Sequence, residues 1–202
     1  MSDPAIMQNA AESCSPFILQ KLLNAGAKIN VLAIDKTYPT LKLGSPLQAA
    51  CLNGKRENIT FLLKNGADAN LGAGRFENPL TAAINYVGMH PDDLSIIHEL
   101  LSHGANSKTP GALHFAVFQT ACGRSQALEI VHCLLDAGSD VNSLNEQNET
   151  ALFQAALHGV EDTVALLLEH GANPSVGKSP LQAAVSNNHV GILKLLKGKK
   201  AK

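Results

Sequence analysis

Tryptophan is absent from this chain of 202 residues, and aromatic residues make up only 4% of it, although 45% of the residues are hydrophobic. We therefore expect an interior packed mainly from Leu, Ala, Val and Ile. No apolar run approaches the roughly 18 residues that a membrane-spanning helix needs. The first residues, MSDPAIMQNA, lack the basic region and apolar core of a secretory signal, so none is expected there.

The chain also lacks an excess of either charge, since its formal net charge is −1 at pH 7. This balance argues against a nucleic-acid partner, and the single basic cluster, KGKKAK at the end of the sequence, is expected to be solvated. The four cysteines show no CxxC spacing. Cys51 and Cys133 fall on predicted core positions, which favours a reducing compartment. We predict a cytoplasmic location, with the nucleus as the alternative.

What the sequence does contain is a recurring helical hairpin, clearest in residues 150–173. Thr150 is a predicted helix N-cap, and Gly159 and Gly171 are predicted to end the two helices of the hairpin. Helices this short are marginal alone, so their apolar faces require neighbours. The residues predicted to be buried are Leu152, Ala155, Ala156, Val164, Leu167 and Leu168.

The same pattern returns along the chain. The predicted N-caps are Ser45, Asn78, Gly111, Thr150 and Ser179. Proline follows three of them, at the first helical position, where its missing N–H costs no hydrogen bond. The predicted closing glycines are Gly26, Gly66, Gly104, Gly138 and Gly171.

Three segments carry a family resemblance: Ser45-Pro-Leu-Gln-Ala-Ala, Ser179-Pro-Leu-Gln-Ala-Ala and Asn65-Gly-Ala-Asp-Ala-Asn. They resemble the ankyrin repeat, which has a period of about 33 residues and a Thr-Pro-Leu-His-x-Ala signature. The resemblance implies an all-α fold, an ankyrin-repeat solenoid of helix-turn-helix units with short β-turn fingers. It also implies a single domain over residues 1–202.

The repeats differ in length. We place them at about 5–30, 45–70, 78–106, 111–142, 150–173 and 179–198, with a long finger over 31–44. Additional residues around 86–93 and 119–126 are predicted to form loops between the two helices of their repeats. Lys197 replaces the leucine that earlier repeats carry at this place, which predicts a polar end to the stack.

A stack of this kind presents a concave surface to another macromolecule. In the ankyrin family the contacts come from the two residues after the Ala-Ala pair and from the finger tips. On the inner helices these are Leu52, Asn53, Asn85, Tyr86, Phe118, Gln119, Leu157 and His158, and on the fingers Arg75, Glu77, Glu146 and Gln147. Apolar residues with a polar rim are typical of interfaces, but packing within the stack is an open alternative for Phe118 and Leu157.

The predicted function is that of a scaffold without catalysis, cofactor or metal, which binds a protein or peptide in its concave groove and is itself a monomer. His103 and His170 each precede a closing glycine, so they are interpreted as helix-end residues that favour the negative end of the dipole. His114, in the signature position, is interpreted as a hydrogen-bonding core residue.

Two alternatives stay open. One is a targeting or inhibitory module excised from a larger multidomain enzyme or receptor, because the motifs are similar to arrays common in large fungal proteins. The other is a small-molecule-binding protein that uses the inserted loops around Met89, His90, Cys122 and Arg124.

Overall fold

The computed structural model describes residues 4–34, 42–90, 93–124 and 126–198, and these form short α-helices with one small pair of strands. The elements are α1 (Pro4–Ser13), α2 (Pro16–Asn24), β1 (Ala33–Ile34), β2 (Lys42–Gly44), α3 (Pro46–Leu52), α4 (Arg56–Lys64), a 3₁₀-helix (Gly74–Phe76), α5 (Pro79–Met89), α6 (Ser95–Ser102), α7 (Pro110–Ala121), α8 (Ala127–Asp136), α9 (Ala151–His158), α10 (Glu161–Glu169), α11 (Pro180–Ser186) and α12 (Val190–Gly198). No helix among these described segments is long and apolar enough to cross a membrane.

Backbone contacts divide the chain into two compact units, Met1–Asn106 and Ser107–Lys202. In the first unit, α1 packs on α3 and α3 on α5, while α2, α4 and α6 form a second layer. In the second unit, α7, α9 and α11 form one layer and α8, α10 and α12 the other. We call the odd-numbered helices the inner helices. The predicted all-α class of stacked helical hairpins is confirmed.

The hairpin at residues 150–173 is built as predicted. The Thr150 hydroxyl accepts a hydrogen bond from the backbone N–H of Phe153 across 3.2 Å. Gly159 ends α9 in the left-handed conformation, with φ of 78°. All the residues predicted to be buried are buried: Leu152, Ala155, Ala156, Val164, Leu167 and Leu168.

The closing turns explain why glycine recurs at one place in each repeat. Gly66 has φ of 85°, a backbone conformation that residues with a Cβ atom rarely adopt. Its N–H donates to the Leu63 carbonyl oxygen, and the next N–H, of Ala67, donates to that of Leu62. These bonds satisfy carbonyl groups that the helix end leaves unpaired. The glycines with this geometry are Gly26, Gly66, Gly104, Gly138 and Gly171.

Four of the five predicted N-caps are confirmed, since their side chains accept from a backbone N–H of the first turn. They are Ser45, Asn78, Thr150 and Ser179. The prediction for Gly111 is wrong, because α7 begins at Pro110 and Thr109 holds the N-cap position. Pro110 takes the first helical position, as proline does in α3, α5 and α11.

The residues inserted after position 86 and position 119 extend helices instead of forming loops throughout. α5 has 11 residues and α7 has 12, against 7 for α3 and 8 for α9. The extension of α5 buries Val87. At the end of α7, the Thr163 hydroxyl donates to Thr120 Oγ1 across 3.2 Å. A buried apolar side chain in α5 and a side-chain hydrogen bond in α7 thus accompany the helical extensions where the sequence suggested loops. Residues 91–92 and 125 lie outside the described part.

The long finger predicted at 31–44 contains an antiparallel strand pair at its base, in which Ala33 is opposite Gly44 and Ile34 opposite Lys42. Residues 35–41 of this finger lie outside the described part. Gly44 allows the Gln48 side chain to approach, because a Cβ there would lie 2.1 Å from Gln48 Oε1. The Gln48 amide in turn makes two hydrogen bonds to the backbone of Ala73, in the next finger.

Candidate partner-binding surface

In the first unit, the predicted inner-helix contacts are Leu52 and Asn53 at the end of α3 and Asn85 and Tyr86 in the second half of α5. Leu52 is 36% exposed although it is apolar. Asn53 is exposed, and its side-chain amide donates to the Ala49 carbonyl oxygen across 3.0 Å, which caps α3. Asn85 is half-buried. Leu52 therefore presents apolar area beside a polar helix end.

Tyr86 is half-buried and has packing partners of its own. Its ring stacks on the His90 ring with the centroids 4.2 Å apart. It also lies against Gly54, where an added Cβ would sit 1.9 Å from the tyrosine ring. Tyr86 consequently links α5 to the turn after α3, a structural role that the sequence did not reveal.

In the second unit, the two predicted contact residues of α7 differ in their exposure to solvent. Phe118 is 48% exposed, whereas Gln119 is buried. Gln119 therefore does not offer its side chain to a partner in this structure. Successive residues of a helix point about 100° apart, and at this place on α7 it is Phe118 that faces outward.

The equivalent residues of α9 are Leu157 and His158, and the first of them is hydrogen-bonded to the next repeat. Leu157 is half-buried, and its carbonyl oxygen accepts a hydrogen bond from His189 Nε2 across 3.2 Å. His158 is exposed at the end of the helix. Phe118 and Leu157 thus occupy equivalent positions on inner helices that pack against each other.

The finger between α8 and α9 has an exposed tip and a fixed base. Glu146 and Gln147 are exposed, and the Gln147 N–H donates to Asn145 Oδ1. Glu149 forms an ion pair of 2.8 Å with Lys178. Its backbone carbonyl also accepts from His114 Nε2 across 2.9 Å. His114 is buried, so its predicted role as a hydrogen-bonding core residue is confirmed.

Desolvation raises the pKa of the Glu149 carboxyl, but the hydrogen bonds from Lys178, Asn145 and Gln154 outweigh it. Together with the charge of Lys178 they hold this pKa below its ordinary value. Glu149 therefore serves the finger's own structure, and Glu146 and Gln147 are its accessible residues.

In the first unit, the finger that carries Arg75 and Glu77 contains the 3₁₀-helix Gly74–Phe76. Glu77 is exposed and has φ of 55°, an uncommon conformation for a residue other than glycine. The Arg75 side chain lies outside the described part.

Histidines at helix ends bond to the last turn, as predicted for His103 and His170. The Nδ1 atom of His103 lies 2.9 Å from the Glu99 carbonyl oxygen, and that of His170 lies 2.9 Å from the Leu166 carbonyl oxygen. Both rings therefore donate to a carbonyl oxygen that also accepts the backbone N–H of the same histidine.

The sequence of residues 113–202 matches the family "Ankyrin repeats (3 copies)". The chain is 30% identical over 179 residues to the B-cell lymphoma 3 protein homolog of Mus musculus, which covers 87% of this chain and 38% of that protein. This chain spans less than half the length of the curated relatives that it matches.

Two solved structures are similar to this one. The human ASB11 ankyrin repeat domain has a TM-score of 0.72 and 26% identity, covering 98% of this chain and 84% of that one. An ankyrin repeat domain from Acinetobacter baumannii AYE has a TM-score of 0.75 and 29% identity, covering 99% of this chain and all of that one. Similarity in fold thus extends over almost the full sequence.

Proposed function

Because this chain is built of ankyrin repeats, we propose that it is a protein-interaction module that holds a protein or peptide partner and carries out no catalytic step of its own. The contacts are assigned to the exposed ends of inner helices and to the tips of the fingers. Stacked repeats suit this task because neighbouring hairpins present equivalent positions at regular spacing.

The exposure of Phe118 carries the proposal. About half of this large aromatic side chain is open to solvent, at the end of an inner helix. Leu157 lies at the equivalent place on the neighbouring helix, and the exposed His158, Glu146 and Gln147 supply polar groups in the same unit. An aromatic anchor with polar surroundings is the usual composition of an interface hot spot. Covering the exposed half of Phe118 would contribute about 1 kcal/mol.

In the first unit, taken by itself, Leu52 is proposed as an apolar contact and Asn53 as a polar one. Tyr86 contributes the exposed part of its ring, while the rest packs on Gly54 and His90. Gln119 is not included, because its side chain is buried.

The chain offers a matched control for a test of this surface. Phe17 is 63% exposed on α2, which is an outer helix. We expect Phe118→Ser to remove partner proteins that the wild-type chain captures from cell extract, whereas Phe17→Ser retains them. Far-UV circular dichroism and urea denaturation verify that both variants are folded. Equal capture by wild-type chain and Phe118→Ser would refute the assigned surface.

A further inference from the structure

Two valines of the hairpin formed by α11 and α12 are open to solvent over more than half of their surface. Val185 lies near the end of α11 and is 57% exposed, and Val190 is the first residue of α12 and is 60% exposed. The preceding hairpin, formed by α9 and α10, shows what residues at these two positions do when another hairpin is stacked on them.

Backbone hydrogen bonds relate the two hairpins residue by residue. The N–H of His189 donates to the Ala184 carbonyl oxygen, and in the preceding hairpin the N–H of Val160 donates to that of Ala155. Ala184 therefore corresponds to Ala155, and the neighbouring residues correspond in the same register. The resulting pairs are Leu181 with Leu152, Val185 with Ala156, Val190 with Glu161, Leu193 with Val164 and Lys197 with Leu168.

In the preceding hairpin these positions face the hairpin that follows. Ala156 and Val164 have no exposed surface, and Leu168 is 3% exposed. On this hairpin α11 packs against α9 and α12 against α10. The Glu161 carboxylate lies against Gly191 of α12, so the first position of α10 also reaches the following hairpin.

On α11 and α12 the same positions form an open face. Leu181 and Leu193 are half-buried, and Lys197 is exposed, as the two valines are. Residues three and four apart share one side of a helix, so Val190, Leu193 and Lys197 form one stripe on α12. Leu181 and Val185 are four apart on α11 in the same way. We call these five residues the end face.

The charge at the edge of the end face is positive. Lys197 belongs to the face, and Lys194 is exposed one turn earlier on α12. Within Pro180–Ser186 and Val190–Gly198 there is no acidic residue to balance them. The end face therefore combines apolar area with a positive edge, and its complement is an apolar surface that carries carboxylates.

The packing of the preceding hairpin indicates the shape of that complement. There, the equivalent residues are covered by two α-helices and not by an extended segment. An amphipathic helix places apolar residues in one stripe, three and four residues apart, and can carry acidic residues along the flanks of that stripe.

We propose that the end face binds an amphipathic helix of another protein, whose apolar stripe covers Val185, Val190 and Leu193 and whose acidic residues meet Lys194 and Lys197. This goes beyond the function proposed above, because none of these residues belongs to the partner-binding residues assigned there. The second unit would then offer two surfaces, one at the inner-helix ends and finger tips and one at the end face.

The test uses the full chain and two fluorescein-labelled synthetic peptides, with binding measured by fluorescence anisotropy. Both peptides carry a leucine stripe at helical spacing on an alanine background. One has glutamate on the flanks of the stripe and the other has lysine at the same places. We expect the wild-type chain to bind the glutamate peptide saturably and to show no binding of the lysine peptide.

Two variants test the apolar and the charged part of the end face separately. Val185→Ser should lose binding of the glutamate peptide. Lys197→Glu should exchange the preference, so that the lysine peptide binds better than the glutamate peptide. The matched controls are Phe118→Ser and Lys64→Glu, an exposed lysine at the end of α4, and both should bind as the wild-type chain does. Far-UV circular dichroism and urea denaturation verify that each variant is folded.

The proposal is overturned if the glutamate peptide does not bind, if Val185→Ser binds it as the wild-type chain does, or if Lys197→Glu keeps the wild-type preference. Loss of peptide binding in Phe118→Ser also overturns it, because the peptide would then occupy the other surface. A second copy of this chain is the remaining occupant. Light scattering that shows association of the wild-type chain alone, and a monomer for Val185→Ser, would assign the end face to self-association instead.

Discussion

Asn70 is joined to Gly104 across the boundary between two repeats, because its side-chain amide donates to the glycine's carbonyl oxygen over 2.9 Å. The amide oxygen of the same side chain accepts from the backbone N–H of Asn106 over 2.7 Å. One asparagine therefore satisfies an acceptor and a donor of the next closing turn. Asn30 makes the same two bonds to Gly66 and Asp68, and Asn142 makes them to Gly171 and Asn173.

Removing this bridge should weaken the first unit. Asn70→Ala deletes two hydrogen bonds whose partners remain accessible to water, so we expect a loss of about 1–2 kcal/mol in the free energy of unfolding. Urea denaturation followed by circular dichroism measures it. Asn9→Ala, an exposed asparagine of α1, is the control and should change stability by less than about 0.5 kcal/mol. Equal effects in the two variants would show that the bridge is energetically neutral.

The contact between Gly54 and Tyr86 can be tested by a double-mutant cycle. Gly54→Ala places a methyl group inside the Tyr86 ring and also strains a residue with φ of 60°. We expect it to be less destabilising in the Tyr86→Ala background, where the steric part disappears, with a coupling free energy of about 1 kcal/mol or more. Additive effects, measured by urea denaturation, would mean that the ring does not rest on Gly54.

The lowered pKa of Glu149 determines how the stability of the second unit should change as the pH falls. Its pKa is lower in the folded state, so its stabilising contribution is fully present above the ordinary glutamate value of about 4.3 and is lost as the pH falls through the folded value. Glu149→Gln should therefore flatten the loss of stability in that range. Glu146→Gln, an exposed neighbour in the same finger, should keep the wild-type profile, as measured by denaturation from pH 7 to pH 3.

Cysteine reactivity should separate the buried thiol from the exposed ones. Burial raises the pKa of the Cys51 thiol well above its ordinary value, and the charge of Glu99 adds to this effect. We expect iodoacetamide to label Cys14 and Cys122, which are exposed, before Cys51 reacts. Mass spectrometry of peptides from native and urea-unfolded protein measures the order. Rapid labelling of Cys51 in the native protein would contradict its placement.

The sequence predicted those features that each repeat determines locally. The cap at Thr150, the left-handed Gly159 and the apolar stripes depend on residues within a few positions of one another. The bridge from Asn70 was not foreseen, although its motif was recognised, because its partner lies 34 residues away and meets it only when the repeats stack.

Two predictions for α7 differ from the structure. The N-cap was predicted at Gly111, whereas α7 begins one residue earlier, at Pro110, with Thr109 as its N-cap. Gln119 was predicted to be a contact because the family places one there, but its side chain is buried in the structure. Local sequence alone does not show whether a helix continues through an insertion, as α5 and α7 do.

The most direct test of the proposed function is site-specific photo-crosslinking. A photoreactive phenylalanine analogue is incorporated at position 118 or, as the control, at position 17, and each chain is irradiated in extract from the source cells. The account predicts a discrete crosslinked protein from position 118, competed away by unlabelled wild-type chain, and none from position 17. Crosslinks from position 17 alone, or equal yields from both positions, would contradict it.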